Sequence, residues 1–542
     1  MAHDLALPHG TFRGCRQLPR RSVRTMVLCA LTFCFPVVVR ANDQRSHESQ
    51  LHADKGMELA RAGDLRGAEI ELRRAIDLDP KNSLNLADLG GILVMQQRLE
   101  DANRFFEKSL LLNPNDIVIR RNLAANQWQL GQLQTAKRNL EQILKGKPGD
   151  KPTILLMGMI AENLKEYEAA AKWLGSVPEL VQQRPESLAA LARSYYNTGQ
   201  KEKARETLNF LLAHPPEPQG MFLAAEVARD ADDNELARAL FTAIGSTYPD
   251  RAALGYELAQ VNYRLNRFDD SQKLLLDLIA TGHETSDIYN LLGWCYQKQK
   301  NLKEAVRAFD QAIDMKPTEE SNYLDLGTIL AEHNLPVALA VAKKAVERIP
   351  ESYRGYLLKG MIEMRQGSNA RAVQSFAKAV ELKPDAAEAS RGLAKAQLAA
   401  GMLPQAVSTF ENGLRRFPRD ALFHQEYALM LLKRVESGDL TVEARAVSLL
   451  ESALALDDSL PESHYQLGNL YLTKRKPNEA LEHLVTAANL DPRRSKIHYA
   501  LARTYRRLNQ EENASRELKI YGELKAEEEK RGSALAASDG SN

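Results

Sequence analysis

The side chains of this chain that could do chemistry are plentiful but poorly grouped. Eleven histidines are scattered along 542 residues. Three of them, His464, His483 and His498, fall close together, and imidazole is a common ligand for zinc, copper and iron. Their spacing puts no two on one helix face, and no cysteine stands near, so no metal is expected there. The 71 acidic residues are spread as on any solvated helix surface, and pairing two of them into a general acid and base would be arbitrary. No glycine loop that could cradle a phosphate, no Gly-x-Ser-x-Gly elbow, no Cys-x-x-Cys and no His-Glu-x-x-His is present. The side chains therefore imply no catalysis and no cofactor.

Any role must then rest on how elements present their surfaces, and the elements repeat. Proline recurs at Pro80, Pro114 and Pro148, and again at Pro350, Pro384 and Pro418, each time after 34 residues. Counted from Gly293, Ala305, Ala312 and Pro317 follow at fixed offsets. The same offsets give Gly56, Ala68, Ala75 and Pro80, then Gly360, Ala372, Ala379 and Pro384, then Gly468, Ala480, Ala487 and Pro492. Small residues let two antiparallel helices approach, and proline, which lacks an N–H, ends the second of them. Between them stand large apolar residues, Leu292, Tyr296 and Phe309 in one unit and Leu467, Tyr471 and Leu484 in another. They are spaced as on the buried stripe of an amphipathic helix.

Tyr289-x-x-Leu292-Gly293-x-x-Tyr296 followed by Ala305, Phe309, Ala312 and Pro317 resembles the tetratricopeptide repeat. About fourteen units can be laid end to end, starting near residues 49, 83, 117, 151, 185, 218, 252, 286, 320, 353, 387, 421, 461 and 495. The resemblance implies an all-α fold, a right-handed α-solenoid of tandem antiparallel helix pairs over residues 47–531; residues 532–542 are small and polar and are expected to be a disordered tail. Two units are degenerate. Near 151–184, Val177 replaces the usual alanine and Pro178 cuts the second helix early; near 252–285 the unit ends without a proline. An insertion near 433–441 predicts a longer loop inside its unit. His214-Pro215-Pro216-Glu217-Pro218 reads as a rigid turn between units.

The resemblance also implies which residues meet a partner, because in this family the first helix of each unit lines a concave groove. That register picks out Arg121, Trp128, Arg193, Tyr196, Tyr256, Tyr263, Trp294, Arg354, Arg365, Arg391, Tyr465, Tyr499 and Arg503, and beside them Arg264, Arg506 and Arg507. Aromatics and arginine dominate interface hot spots; the competing reading is that the aromatics fill gaps between helices and the arginines pair with a neighbouring unit. No ladder of asparagines and no carboxylate-clamp set of Lys, Asn and Arg occurs at the family's spacing.

The first 41 residues stand outside the repeat. Arg13, Arg16, Arg20, Arg21 and Arg24 precede an apolar run from Met26 to Val39, and Val39-Arg40-Ala41 follows. That order reads as a secretory signal cleaved near Ala41. The run is too short for a transmembrane span of about 20 residues, although an uncleaved anchor remains the alternative, and the flanks of Arg20-Arg21 fit a twin-arginine signal poorly. Cleavage would leave Cys295 as the one cysteine, with 66 basic and 70 acidic residues, a balance that argues against nucleic acid. The expectation is an exported, periplasmic or extracellular, non-enzymatic scaffold that binds a partner protein or extended peptide. The alternative is a periplasmic scaffold of polysaccharide export or assembly.

Overall fold

The computed structural model describes residues 44–539; the expected signal segment lies outside them. These residues form 29 α-helices in tandem and no strand. The chain is a solenoid of antiparallel pairs. We call the two helices of a pair A and B. The A helices begin at Gln44, Ser83, Ile117, Lys151, Pro185, Pro218, Arg251, Ser286, Glu320, Tyr353, Ala387, Ala421, Pro461 and Ser495, and most span 13 or 14 residues. The chain divides into two compact units. One runs to Glu284 and includes Trp294–Ala305; the other holds Thr285–Gly293 and the chain from Val306.

The steric logic of the repeat is visible in each. A Cβ built on Gly90 would lie 2.7 Å from the Phe106 ring, and one on Gly360 2.9 Å from Phe376. Each glycine therefore seats a large B-helix side chain on the A-helix backbone. Ala68, Ala102, Ala136, Ala372 and Ala480 are fully buried, where a larger side chain would force the helices apart.

A second periodic device joins A to B. Gln97, Lys165, Asp232, Asn266, Lys300, Arg475 and Asn509 have positive φ, as do Gly63, Gly131, Gly199, Gly367 and Gly401 at equivalent places. Beside each, the next residue's N–H reaches back five residues, as Arg98 does to Leu93 at 2.9 Å and Glu166 to Ala161 at 2.9 Å. This is the Schellman termination of a helix.

The irregular units depart where the sequence departs. Helix B of the fourth pair stops at Gly175, and Pro178–Val181 forms a separate short turn. The insertion near 433–441 lengthens both the A helix and the connection that follows it, which runs over 437–442. Helix Ala421–Glu436 grows by about a turn and a 3₁₀ turn, Leu440–Val442, follows. Asp439 accepts from the Thr441 N–H at 3.2 Å and caps that turn, so the extra residues gain helical hydrogen bonds. The last helix, Glu511–Asp539, also continues through the segment expected to be disordered from 532. Gly532 alone costs a helix only about 1 kcal/mol, and no proline follows it. At Pro215-Pro216 the apolar core of the first unit is unbroken, with Leu208 and Leu211 in one cluster with Met221 and Ala224.

Candidate functional site

The A-helix residues singled out from the sequence separate into three groups. The first binds neighbouring pairs to each other. Arg121 meets Asp150 at 2.7 Å, and Arg391 meets Asp420 at 2.6 Å. Asp150 and Asp420 are the N-caps of the following A helices, accepting from the Thr153 and Phe423 amides. One carboxylate thus ends a helix and anchors an arginine 29 residues earlier. Burial opposes ionisation of Asp150, but the Thr153 hydroxyl and Arg121 outweigh it and hold the carboxyl below its ordinary range. Arg193 reaches back to Glu162 at 2.6 Å. The Tyr196 hydroxyl donates to Asp233 at 2.9 Å, and Arg205 grips the same carboxylate through Nε and Nη2 at 2.6 and 3.0 Å. Trp128 donates from Nε1 to Asn163 at 2.8 Å, and Arg264 donates to the Arg229 carbonyl at 3.1 Å. In these places the structural role is the observed one.

The second group corrects the sequence reading. Tyr263 is only 8% exposed and packs edge-to-face on Phe268 of its own pair. Trp294 is 6% exposed. Both rings are buried, so they belong to the core and present little contact surface. Tyr256 is partly covered.

The third group remains open to solvent. Arg354 stands 3.9 Å from Glu320 and is largely exposed, and Arg365 is exposed. Tyr465 lies under Arg494 and Lys496, with the Lys496 ammonium 4.7 Å from the ring centre. Tyr499 is 46% exposed and faces Tyr521, with ring centres 5.2 Å apart. The Arg503 guanidinium lies 6.0 Å from the Tyr499 ring.

The histidines are brought together in a way their spacing hid. His464 Nδ1 and His483 Nδ1 are 3.0 Å apart. His52 meets Glu71 at 2.6 Å and His498 meets Glu517 at 2.7 Å in the same register, A helix to B helix, 19 residues apart. Among the described residues no group of three or more His, Cys, Asp or Glu converges on a point where a metal could sit. Cys295 is buried beside Ser271, and burial pushes its thiol up to about 11. Burial, with repulsion from Asp54, pushes the Asp88 carboxyl up to about 7. No helix among the described residues is long and apolar enough to cross a membrane.

Family models described as tetratricopeptide repeat match residues 189–252, 228–295, 286–319, 330–387, 363–430 and 461–494. The chain belongs to the tetratricopeptide repeat family. Among curated relatives, anaphase-promoting complex subunit 3 of Schizosaccharomyces pombe is 23% identical over 304 residues, 54% of this chain and 44% of that one. This tetratricopeptide chain therefore spans under half the length of that relative. The TPR repeat-containing protein YpiA of Bacillus subtilis is 24% identical over 377 residues, 66% of this chain and 84% of its own. Cellulose synthase operon protein C of Salmonella typhimurium is 24% identical over 189 residues, 33% of this chain and 16% of that protein. Among solved structures, yeast Tom70 is 17% identical, with 85% of this chain and all of that one covered at a TM-score of 0.39.

Proposed function

We propose that this chain is an exported, non-enzymatic scaffold that holds a partner protein or extended peptide along the exposed edges of its A helices. The observation that carries this reading is the shared register of the A helices, which repeats one set of positions from pair to pair. Repeat arrays use such registered surfaces for multivalent contact. The side chains left open there, Arg354, Arg365, Tyr499 and Arg503, are of the types enriched at hot spots. Export rests on the basic and apolar order of residues 13–41.

The test is a crosslinking pull-down from cell envelopes with the full chain, alongside Arg354→Glu/Arg365→Glu. Loss of one specific protein with the double change supports the reading. Equal recovery by both chains, or no specific protein with either, overturns it. N-terminal sequencing of the recovered chain is expected to start near Asn42; a start before Met26 contradicts cleavage.

The likeness to cellulose synthase operon protein C favours a second reading, a scaffold within polysaccharide export or assembly. Its signature is retention of a soluble glucan on the immobilised chain, and the absence of any retention would remove it.

A further inference from the structure

Among the described residues, the A helix Ser495–Arg507 leaves two of its arginines without a carboxylate partner. Its spacing places Lys496, Tyr499, Arg503, Arg506 and Arg507 on one face, because steps of three and four residues return to the same side of a helix. All five are exposed. Arg121 and Arg391 each find the N-cap aspartate of a following A helix. In Ser495–Arg507 the matching position holds Tyr499, and among the described residues the helix that follows, Glu511–Asp539, packs on it. That helix satisfies other groups. Glu517 takes His498, Glu527 takes Arg493 and Glu528 takes Ser495. Glu462 takes Arg494 and Lys496. Arg507 donates to the Leu472 carbonyl. Among the described residues, Arg503 and Arg506 are left without a carboxylate.

The terminal helix extends the face. Tyr521 stands against Tyr499, and Lys525 lies 5.7 Å from the Tyr521 ring. Two tyrosines are thus bracketed by Arg503 on one side and Lys525 on the other. A guanidinium matches a carboxylate through two parallel N–H donors, and aromatic rings supply rigid contact area. From Lys496 to Arg506 the face runs about 15 Å, the reach of about five residues of extended chain.

We propose that this face docks an acidic segment of a partner protein, its carboxylates on Arg503 and Arg506 and its apolar side chains on Tyr499 and Tyr521. The proposal rests on the scaffold reading and specifies the chemistry of one partner contact.

The probe is a fluorescein-labelled dodecapeptide of alternating Glu and Phe, with a Lys/Phe peptide as the opposite charge, measured by fluorescence anisotropy against the full chain at low and physiological salt. The Glu/Phe peptide is expected to bind and to weaken with salt. Arg503→Glu/Arg506→Glu is expected to lower its affinity about tenfold or more, and Arg503→Lys/Arg506→Lys to retain part of it, with the circular dichroism of all three chains unchanged. Equal binding by wild type and the charge-reversed chain overturns the assignment, as does preference for the Lys/Phe peptide. Full displacement by polygalacturonate at equal charge concentration overturns a protein partner. If the peptide fails while the envelope pull-down still yields a partner sensitive to Arg354 and Arg365, this face is wrong and the scaffold reading stands. If both fail, both fall.

Discussion

Adjacent glycines in one helix have opposite duties. Gly90 lies under the Phe106 ring, whereas a Cβ on Gly91 would meet nothing within 4 Å. Gly90→Ala is therefore expected to destabilise its pair by about 1–3 kcal/mol through overpacking. Gly91→Ala is expected to stabilise by about 0.5–1 kcal/mol, because alanine costs the helix less entropy. Local hydrogen exchange in Ser83–Met95 reads both signs. Lys165 poses the converse case: its φ is +61° with an exposed side chain. A non-glycine residue there bears about 1–2 kcal/mol of strain. Lys165→Gly is expected to recover about half of that after glycine's own entropic cost, seen as slower exchange in Lys151–Asn163. The small residues were legible in the sequence because their offsets recur without exception in the clearest units. The turn residues were hidden because glycine alternates there with Lys, Asn, Asp, Gln and Arg. The inter-pair clamps were hidden for a related reason: Arg121–Asp150 and Arg391–Asp420 share a 29-residue interval that is shorter than the repeat.

Elements rather than residues decide the histidines. His464 Nε2 lies 3.0 Å from the Asp458 carbonyl, so it carries the proton, and His464 Nδ1 accepts from the Nδ1–H of His483. Where helices Gln44–Arg61 and Ser495–Arg507 meet their B helices, the partner is a glutamate carboxylate, which accepts from the imidazole N–H. Here a second proton would set two N–H groups face to face. Burial, then His464, hold His483 below the ordinary imidazole range, against the attraction of Glu482 on its own helix and Glu451 on the B helix Glu443–Leu456 of the pair before; Tyr471 stacks on the ring. Because the folded value is depressed, the unfolded chain binds the proton first. Stability from this contact is complete above about pH 6.5 and is lost as the pH falls below it. Exchange in Pro461–Thr473 is expected to accelerate from pH 7 to 5, after correction for intrinsic rates, and His483→Glu to abolish or reverse the trend. The same acceleration in His483→Glu would contradict it. Sequence periodicity placed these helices but could not foresee the contact, since a histidine stands where the two matching pairs carry glutamate.

For the whole molecule, fold and partner surface are legible to different depths. A repeat fixes its core by recurrence, so fourteen pairs could be counted before any contact was known. A binding surface is marked by what its neighbours leave unpaired, and that depends on side chains in the next pair. Arg193 and Arg365 both stand on A helices, yet Glu162 claims the first while the second stays exposed. Aromatic type misled for the same reason, since Trp294 and Tyr499 both fit the register and only one reaches solvent. The central claim is that partners are held on the A-helix edges. The most direct measurement is photocrosslinking in the envelope with benzoylphenylalanine at the exposed A-helix positions Gln129, Asn197 and Arg365, and at the exposed B-helix positions Glu107 and Gln374. One partner crosslinked from the A-helix positions and absent from the B-helix positions is the expected result. Crosslinking from the B-helix positions alone, or equally from both, would contradict the claim.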